Sequence, residues 1–174
     1  MKKFFLLCAF LLSASSVFSR TGFGLQGGFD CGSSSDTFVS ASVRRDTSPW
    51  CVSIGAHFSN PVFSSLEPTG TFTAAFDDYF VNERIQEHID IYVLWGISAG
   101  FSCGFDGSGE KDFSVGTGSR FGVGFDFFFF GRHLEFFSEA VWNPYLGVER
   151  EGGDFSFMGK VDNFPCSLGF RIWN

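Results

Sequence analysis

From residue 21 onward the chain alternates apolar with small or polar residues at a period of two. That is the period of a β-strand, whose successive side chains point to opposite faces. Phe23, Leu25 and Phe29 alternate with Gly22, Gly24, Gln26, Gly28 and Asp30. Val39, Ala41 and Val43 alternate with Ser40, Ser42 and Arg44. Trp50, Val52, Ile54, Ala56 and Phe58 oppose Cys51, Ser53, Gly55, His57 and Ser59. A weaker run holds Phe72, Ala74, Phe76 and Phe80 in one register. The clearest run puts Ile89, Ile91, Val93, Trp95, Ile97, Ala99 and Phe101 on one face. Next, Phe113, Val115, Phe121, Val123, Phe125, Phe127 and Phe129 face away from Gly116, Gly118, Arg120, Gly122, Gly124, Asp126 and Phe128. Leu134, Phe136, Ala140, Trp142, Leu146 and Val148 then oppose Glu135, Phe137, Glu139, Val141, Asn143 and Tyr145. The last run starts with Phe155, Phe157 and Val161 and resumes in the other register with Cys166, Leu168, Phe170 and Ile172. One displaced residue beside Pro165 predicts a β-bulge.

These runs predict eight strands. Asp46–Pro49, Asn82–Arg84 and Gly131–His133 read as short turns, whereas Asn60–Gly70, Gly104–Asp112 and Glu149–Asp154 read as longer loops. Eight antiparallel strands would place the short turns and both termini at one end. About 19 residues per strand and connection suffices, since roughly 9–11 residues cross a bilayer as a tilted strand.

Residues 1–19 read as a secretory signal peptide, with Lys2 and Lys3 ahead of the apolar stretch Phe4–Leu12. The expected organisation is therefore a leader, 1–19, and one barrel domain, 20–174. No later stretch reaches the ~18 apolar residues of a membrane helix. Composition then narrows the class. The chain has 27 Phe and 22 Gly, 18% charged residues and a net charge of −7. An acidic surface repels phosphate, so nucleic acid is not an expected partner. Beyond the leader, lysine occurs only at Lys111 and Lys160.

Two barrels share this alternation. A soluble, lipocalin-like periplasmic ligand-binding barrel turns its apolar face inward. A membrane barrel turns it to lipid and keeps the polar face inside. Here the polar face is mostly Gly and Ser with scattered charges, which suits the lining of a narrow barrel better than a solvated surface. The apolar face carries Ile, Val, Phe and Trp. The expected fold is all-β, an eight-stranded antiparallel up-and-down transmembrane barrel.

With these runs in view, the whole chain beyond the leader resembles the small eight-stranded outer-membrane barrels of the OmpX, OmpW and OmpA-membrane-domain kind. The resemblance implies an outer-membrane location and assembly as a monomer. It also implies outer-membrane lipid and the barrel-assembly machinery as partners. A structural or surface-interaction role follows, or a narrow pore for small solutes. A small solute or a host or surface ligand would be the further partner. No enzyme activity, cofactor or metal is expected.

The expected lumen network is Asp30, Arg44, Asp90, Arg120, Asp126, Glu135, Glu139 and Arg171. Charges of both signs in a narrow barrel need partners, because unpaired desolvated charge is costly. Such a network could plug the lumen or line a polar path. One tetrapeptide gives a rival reading. His57-Phe58-Ser59-Asn60 looks like the His-x-Ser-Asn element of outer-membrane lipid A deacylases, which would make His57 the base and Ser59 the nucleophile. Trp50 and Trp142 fit interfacial girdles, with Trp173 placed near the short-turn end. Cysteines occur at 8, 31, 51, 103 and 166, without metal-ligand spacing. Cys31 and Cys166 lie on the first and last strands, both on the apolar face. A disulfide between them and a pair of free buried thiols are the two readings. Cys51 is expected to have no partner.

Overall fold

A computed structural model describes residues 20–32, 36–59, 69–105, 111–151 and 154–174. The signal-peptide expectation lies outside them. The strands are β1 (Thr21–Asp30), β2 (Thr37–Arg45), β3 (Trp50–Ser59), β4 (Thr69–Gln86) and β5 (Ile89–Phe105). They continue as β6 (Lys111–Phe129), β7 (Leu134–Trp142), β8 (Tyr145–Glu151), β9 (Asp154–Lys160) and β10 (Pro165–Trp173).

Each of β1 to β6 pairs antiparallel with the next, and β10 pairs with both β7 and β1. The β1–β10 seam runs from Gly22↔Trp173 to Asp30↔Pro165, so the sheet closes on itself. The start of β1 and the end of β10 meet at the short-turn end, where the Thr21 N–H donates to Asn174 Oδ1 at 2.7 Å.

Ten strands make eight walls. On β6, β7 pairs up to Phe121↔Trp142 and β8 resumes at Gly118↔Tyr145, with no change of register. The two are one wall interrupted at Asn143-Pro144, where proline offers no N–H. β9 and β10 form the other interrupted wall. Lys160 pairs with Tyr145 and Cys166 with Ala140, so residues 160 to 166 match only 145 to 140. This is the bulge expected beside Pro165. It moves the outward face from Phe155 and Phe157 to Leu168, Phe170 and Ile172.

Three connections differ from expectation. β4 does not turn at 82–84. An extra residue between Asp78↔Trp95 and Val81↔Val93 shifts its register, and the strand runs on to a Glu87-His88 turn. The polar stretch Asn82–Arg84 resembles a turn in sequence, but its backbone stays in the ladder opposite Asp90–Tyr92. Residues 149–154, expected as a loop, are mostly strand in a β8–β9 hairpin. The 104–112 loop is likewise shortened by β5 and β6. The turn after β6 fits expectation, with Phe130, Gly131 and Arg132 all at positive φ, from 52° to 68°.

The hydrophobic pattern is inverted relative to a water-soluble barrel. Phe72, Ile97 and Leu168 on the outside are 68%, 58% and 71% exposed, while Tyr92 and Leu94 inside are buried. The exposed apolar residues circle the barrel, far beyond the few hundred Å² of patch typical of soluble monomers. Three of the four tryptophans share one row of directly paired outward residues: Trp50, Asp78, Trp95, Phe121 and Trp142. Because barrel strands tilt, the row climbs from the short-turn end at Trp50 towards the loop end at Trp142. Trp173, near the short-turn end as expected, turns into the lumen and is buried.

Two substitutions separate the faces. Ile97→Arg should lower folding stability in lipid by about 2–4 kcal/mol, measured by denaturant titration in vesicles. Brominated lipid should quench Trp50 and Trp95 in single-tryptophan variants and leave Trp173 bright.

Candidate functional site: the lumen

Eight strands enclose a channel only wide enough for side chains. The chain fills it by setting aromatic rings against glycines on directly paired positions. Gly22 faces Trp173, Gly28 faces Phe38, Gly124 faces Tyr92 and Gly169 faces Phe137. In each pair the ring lies over the glycine, where a Cβ would collide with it; at Gly28 it would sit 2.7 Å from the Phe38 ring. The abundance of both Gly and Phe thus serves the interior as well as the lipid face.

All eight expected lumen charges point inward. Around them the structure adds partners that strand alternation did not single out. Nearest the short-turn end, Arg171 pairs with Glu135, which also accepts the Trp173 indole N–H at 2.6 Å. Both charged side chains are at most 1% exposed. Arg171 also lies over the Phe137 ring, 4.7 Å from its centroid. Arg132 donates to Asp90 at 2.6 Å and stacks on Phe128 at 3.6 Å. It comes from the left-handed turn and reaches back into the barrel mouth. Arg20 caps the same turn by donating to the Arg132 carbonyl at 2.9 Å.

One layer up, Arg44 donates to Asp126 at 3.0 Å and sits 4.2 Å over Tyr79. Tyr79 reaches inward at the β4 bulge and packs against Tyr92 with centroids 4.6 Å apart. Above that, Arg120 bridges Asp77 at 2.7 Å and Glu139 at 3.4 Å. The Tyr92 hydroxyl donates to Glu139 at 3.2 Å. Near the loop end Lys160 pairs with Asp30 at 3.2 Å. Ser98 donates to the Asn143 carbonyl oxygen at 2.9 Å.

Asp77, Arg132 and Lys160 were missed for different reasons. Asp77 stands on the inward register of a weak run. Arg132 enters from a turn, which period-two reasoning does not reach, and Lys160 from the last residue of the short strand β9. Glu135 and Glu139 share a face yet hold different arginines, Arg171 and Arg120. His57 faces inward with its ring stacked on Phe38 at 5.0 Å. The side chain of Ser59 lies outside the described residues.

The packed midsection separates two small spaces. The loop-end vestibule is about 170 Å³, lined by His57, Thr73, Ser98, Asn143 and Lys160 among others. The short-turn cavity is about 60 Å³, between Arg20, Arg44, Asp46, Phe128 and Arg132. Among the described residues no cluster of His, Cys, Asp and Glu could hold a metal ion.

This architecture is the fold of small outer-membrane barrels. Neisserial surface protein A has a similar structure, with a TM-score of 0.60, 9% identity, and 88% of this chain and 96% of that one covered. The N-terminal β-barrel domain of Pseudomonas aeruginosa OprF superposes with a TM-score of 0.52 at 12% identity, covering 89% and 97%. Ail, the attachment invasion locus protein of Yersinia pestis, gives 0.51 at 12% identity, covering 90% and 97%. No protein-family profile and no curated protein sequence matches the chain.

Breaking a buried pair should cost more than replacing it. Glu135→Ala leaves Arg171 buried without its carboxylate and should cost about 3–5 kcal/mol. The double change Glu135→Leu with Arg171→Met should recover most of that loss. Urea unfolding of the refolded barrels reads both values.

Proposed function

We propose that this protein is an exported outer-membrane barrel with a sealed lumen, and that it acts at the cell surface through its loop end. The observation that carries the reading is the filled midsection. Tyr79, Tyr92, Leu94, Phe137 and Val141 are buried between three layers of ion pairs. A hydrated ion crossing this stretch would have to break charge pairs in a space without room to resolvate them. Transport through the resting barrel is therefore disfavoured, and the network of charges inside serves closure.

Loops on a rigid scaffold are where binding residues concentrate. The β8–β9 hairpin and the extended β5–β6 pair carry Lys111, Glu149, Arg150 and Glu151 to that end. The names of two similar structures, a surface protein and an attachment protein, agree with this assignment. Outer-membrane location rests on the apolar belt, the shared fold and the expected leader. A hydrolase reading is not favoured, because His57 is stacked on Phe38 inside the vestibule rather than presented to lipid.

Planar-bilayer recordings test the seal. The refolded wild-type protein should give no conductance steps, and steady steps would overturn the reading. Tyr79→Ala, Tyr92→Ala and Leu94→Ala together should open small steps by clearing the midsection. On cells displaying the protein, deleting residues 60–68 should reduce adhesion to a host-cell layer while the barrel still shifts on gels after boiling.

A further inference from the structure

The seam between β1 and β10 is where the first strand meets the last. Just above it, at the loop end, the Cys31 N–H donates to the Phe164 carbonyl at 2.9 Å. Two residues below, Phe29 pairs with Cys166. Cys31 therefore stands diagonally across the seam from Cys166. Their sulfurs are 3.1 Å apart, although the residues are 135 positions apart in sequence. Cys31 is exposed and Cys166 half-buried. The third described thiol, Cys51, faces the lumen and is buried, so it cannot compete.

We infer that Cys31 and Cys166 form a disulfide staple that locks the closing seam of the barrel. The inference rests on the export reading, since exported proteins meet an oxidising compartment where disulfides persist. The chemistry is thiol–disulfide exchange with an oxidised dithiol–disulfide oxidoreductase as the electron acceptor. The more exposed Cys31 thiolate attacks one sulfur of the donor's disulfide. A mixed disulfide forms, and the donor's other sulfur leaves as a thiolate. The Cys166 thiolate then attacks Cys31 Sγ, which forms the Cys31–Cys166 bond and releases the donor's second thiolate. Two electrons pass to the donor, which takes up the two protons as it becomes a dithiol.

The seam already has its backbone hydrogen bonds, so the staple would add a constraint rather than a fold. It covalently joins the two walls whose separation opens the barrel. A cross-link this distant in sequence removes much of the freedom of the unfolded chain.

The test uses the full mature chain refolded in detergent and exposed to oxidised glutathione in place of the oxidoreductase. The thiols left free are then alkylated, and the protein is digested without reductant. Mass spectrometry should find the Cys31 peptide joined to the Cys166 peptide. The oxidised barrel should unfold about 5–10 °C higher than the same sample after reductant. Cys31→Ser and Cys166→Ser should each abolish both the linked peptide and the reductant-sensitive shift. Alkylation of both cysteines after oxidation, or a bridge through Cys51, would overturn the inference, as would a bridge without a thermal shift. Because the oxidant is supplied, the result is independent of where the protein resides. Conductance through the wild-type barrel would refute the sealed-lumen reading and leave the staple standing.

Discussion

Closure of the sheet between β1 and β10 is the constraint from which the rest follows. A strand in lipid cannot leave its N–H and C=O groups unpaired, because no water is present to satisfy them. The nine directly paired positions from Gly22↔Trp173 to Asp30↔Pro165 remove the last open edges of the wall. Once eight walls close, the channel width is set, and with it the problem of what fits inside. Glycine opposite an aromatic ring is one solution, used at Gly22, Gly28, Gly124 and Gly169. The other is to let opposite charges meet inside the lumen, as Arg44 meets Asp126 across it and Arg120 meets Asp77 and Glu139 on nearby strands.

These solutions support one another. Tyr92 needs Gly124 beneath its ring, and its hydroxyl then reaches Glu139. Glu139 is also held by Arg120, which binds Asp77 on β4, two strands away. Asp77 lies two residues before Tyr79, which the β4 bulge directs against Tyr92 and under Arg44. The midsection is thus a linked set rather than a stack of separate pairs. Coupling of this kind makes the removal of one partner cost more than the replacement of both.

Much of this was legible in the sequence because a strand's two faces are written at a fixed period. Ile97 and Ser98 could be assigned to lipid and lumen without any structure, and so could the eight interior charges. What the pattern could not supply was the origin of their partners. Arg132 lies in a left-handed turn, outside any alternating run, and Lys160 ends the short strand of Phe155 and Phe157, on the register opposite them. The β4 bulge is hard to read because the run after it is short: only Val81 and Ile85 mark the new outward register, with Glu83 between them. Trp173 shows a different limit. Its register points inward, but a tryptophan near a strand end also fits an interfacial role, and only the Glu135 carboxylate decides between them.

The bulge between β9 and β10 gives the chain a reading frame of its own. Phe155 and Phe157 face outward on odd numbers, and Leu168, Phe170 and Ile172 do so on even ones. One residue between Lys160 and Cys166 reconciles the two halves. A single insertion or deletion there would therefore act as a frameshift in space. It would send Leu168 and Phe170 into a crowded lumen and turn Arg171 to the lipid. Changes of two residues would preserve the parity, so length variation in this wall should come in even steps.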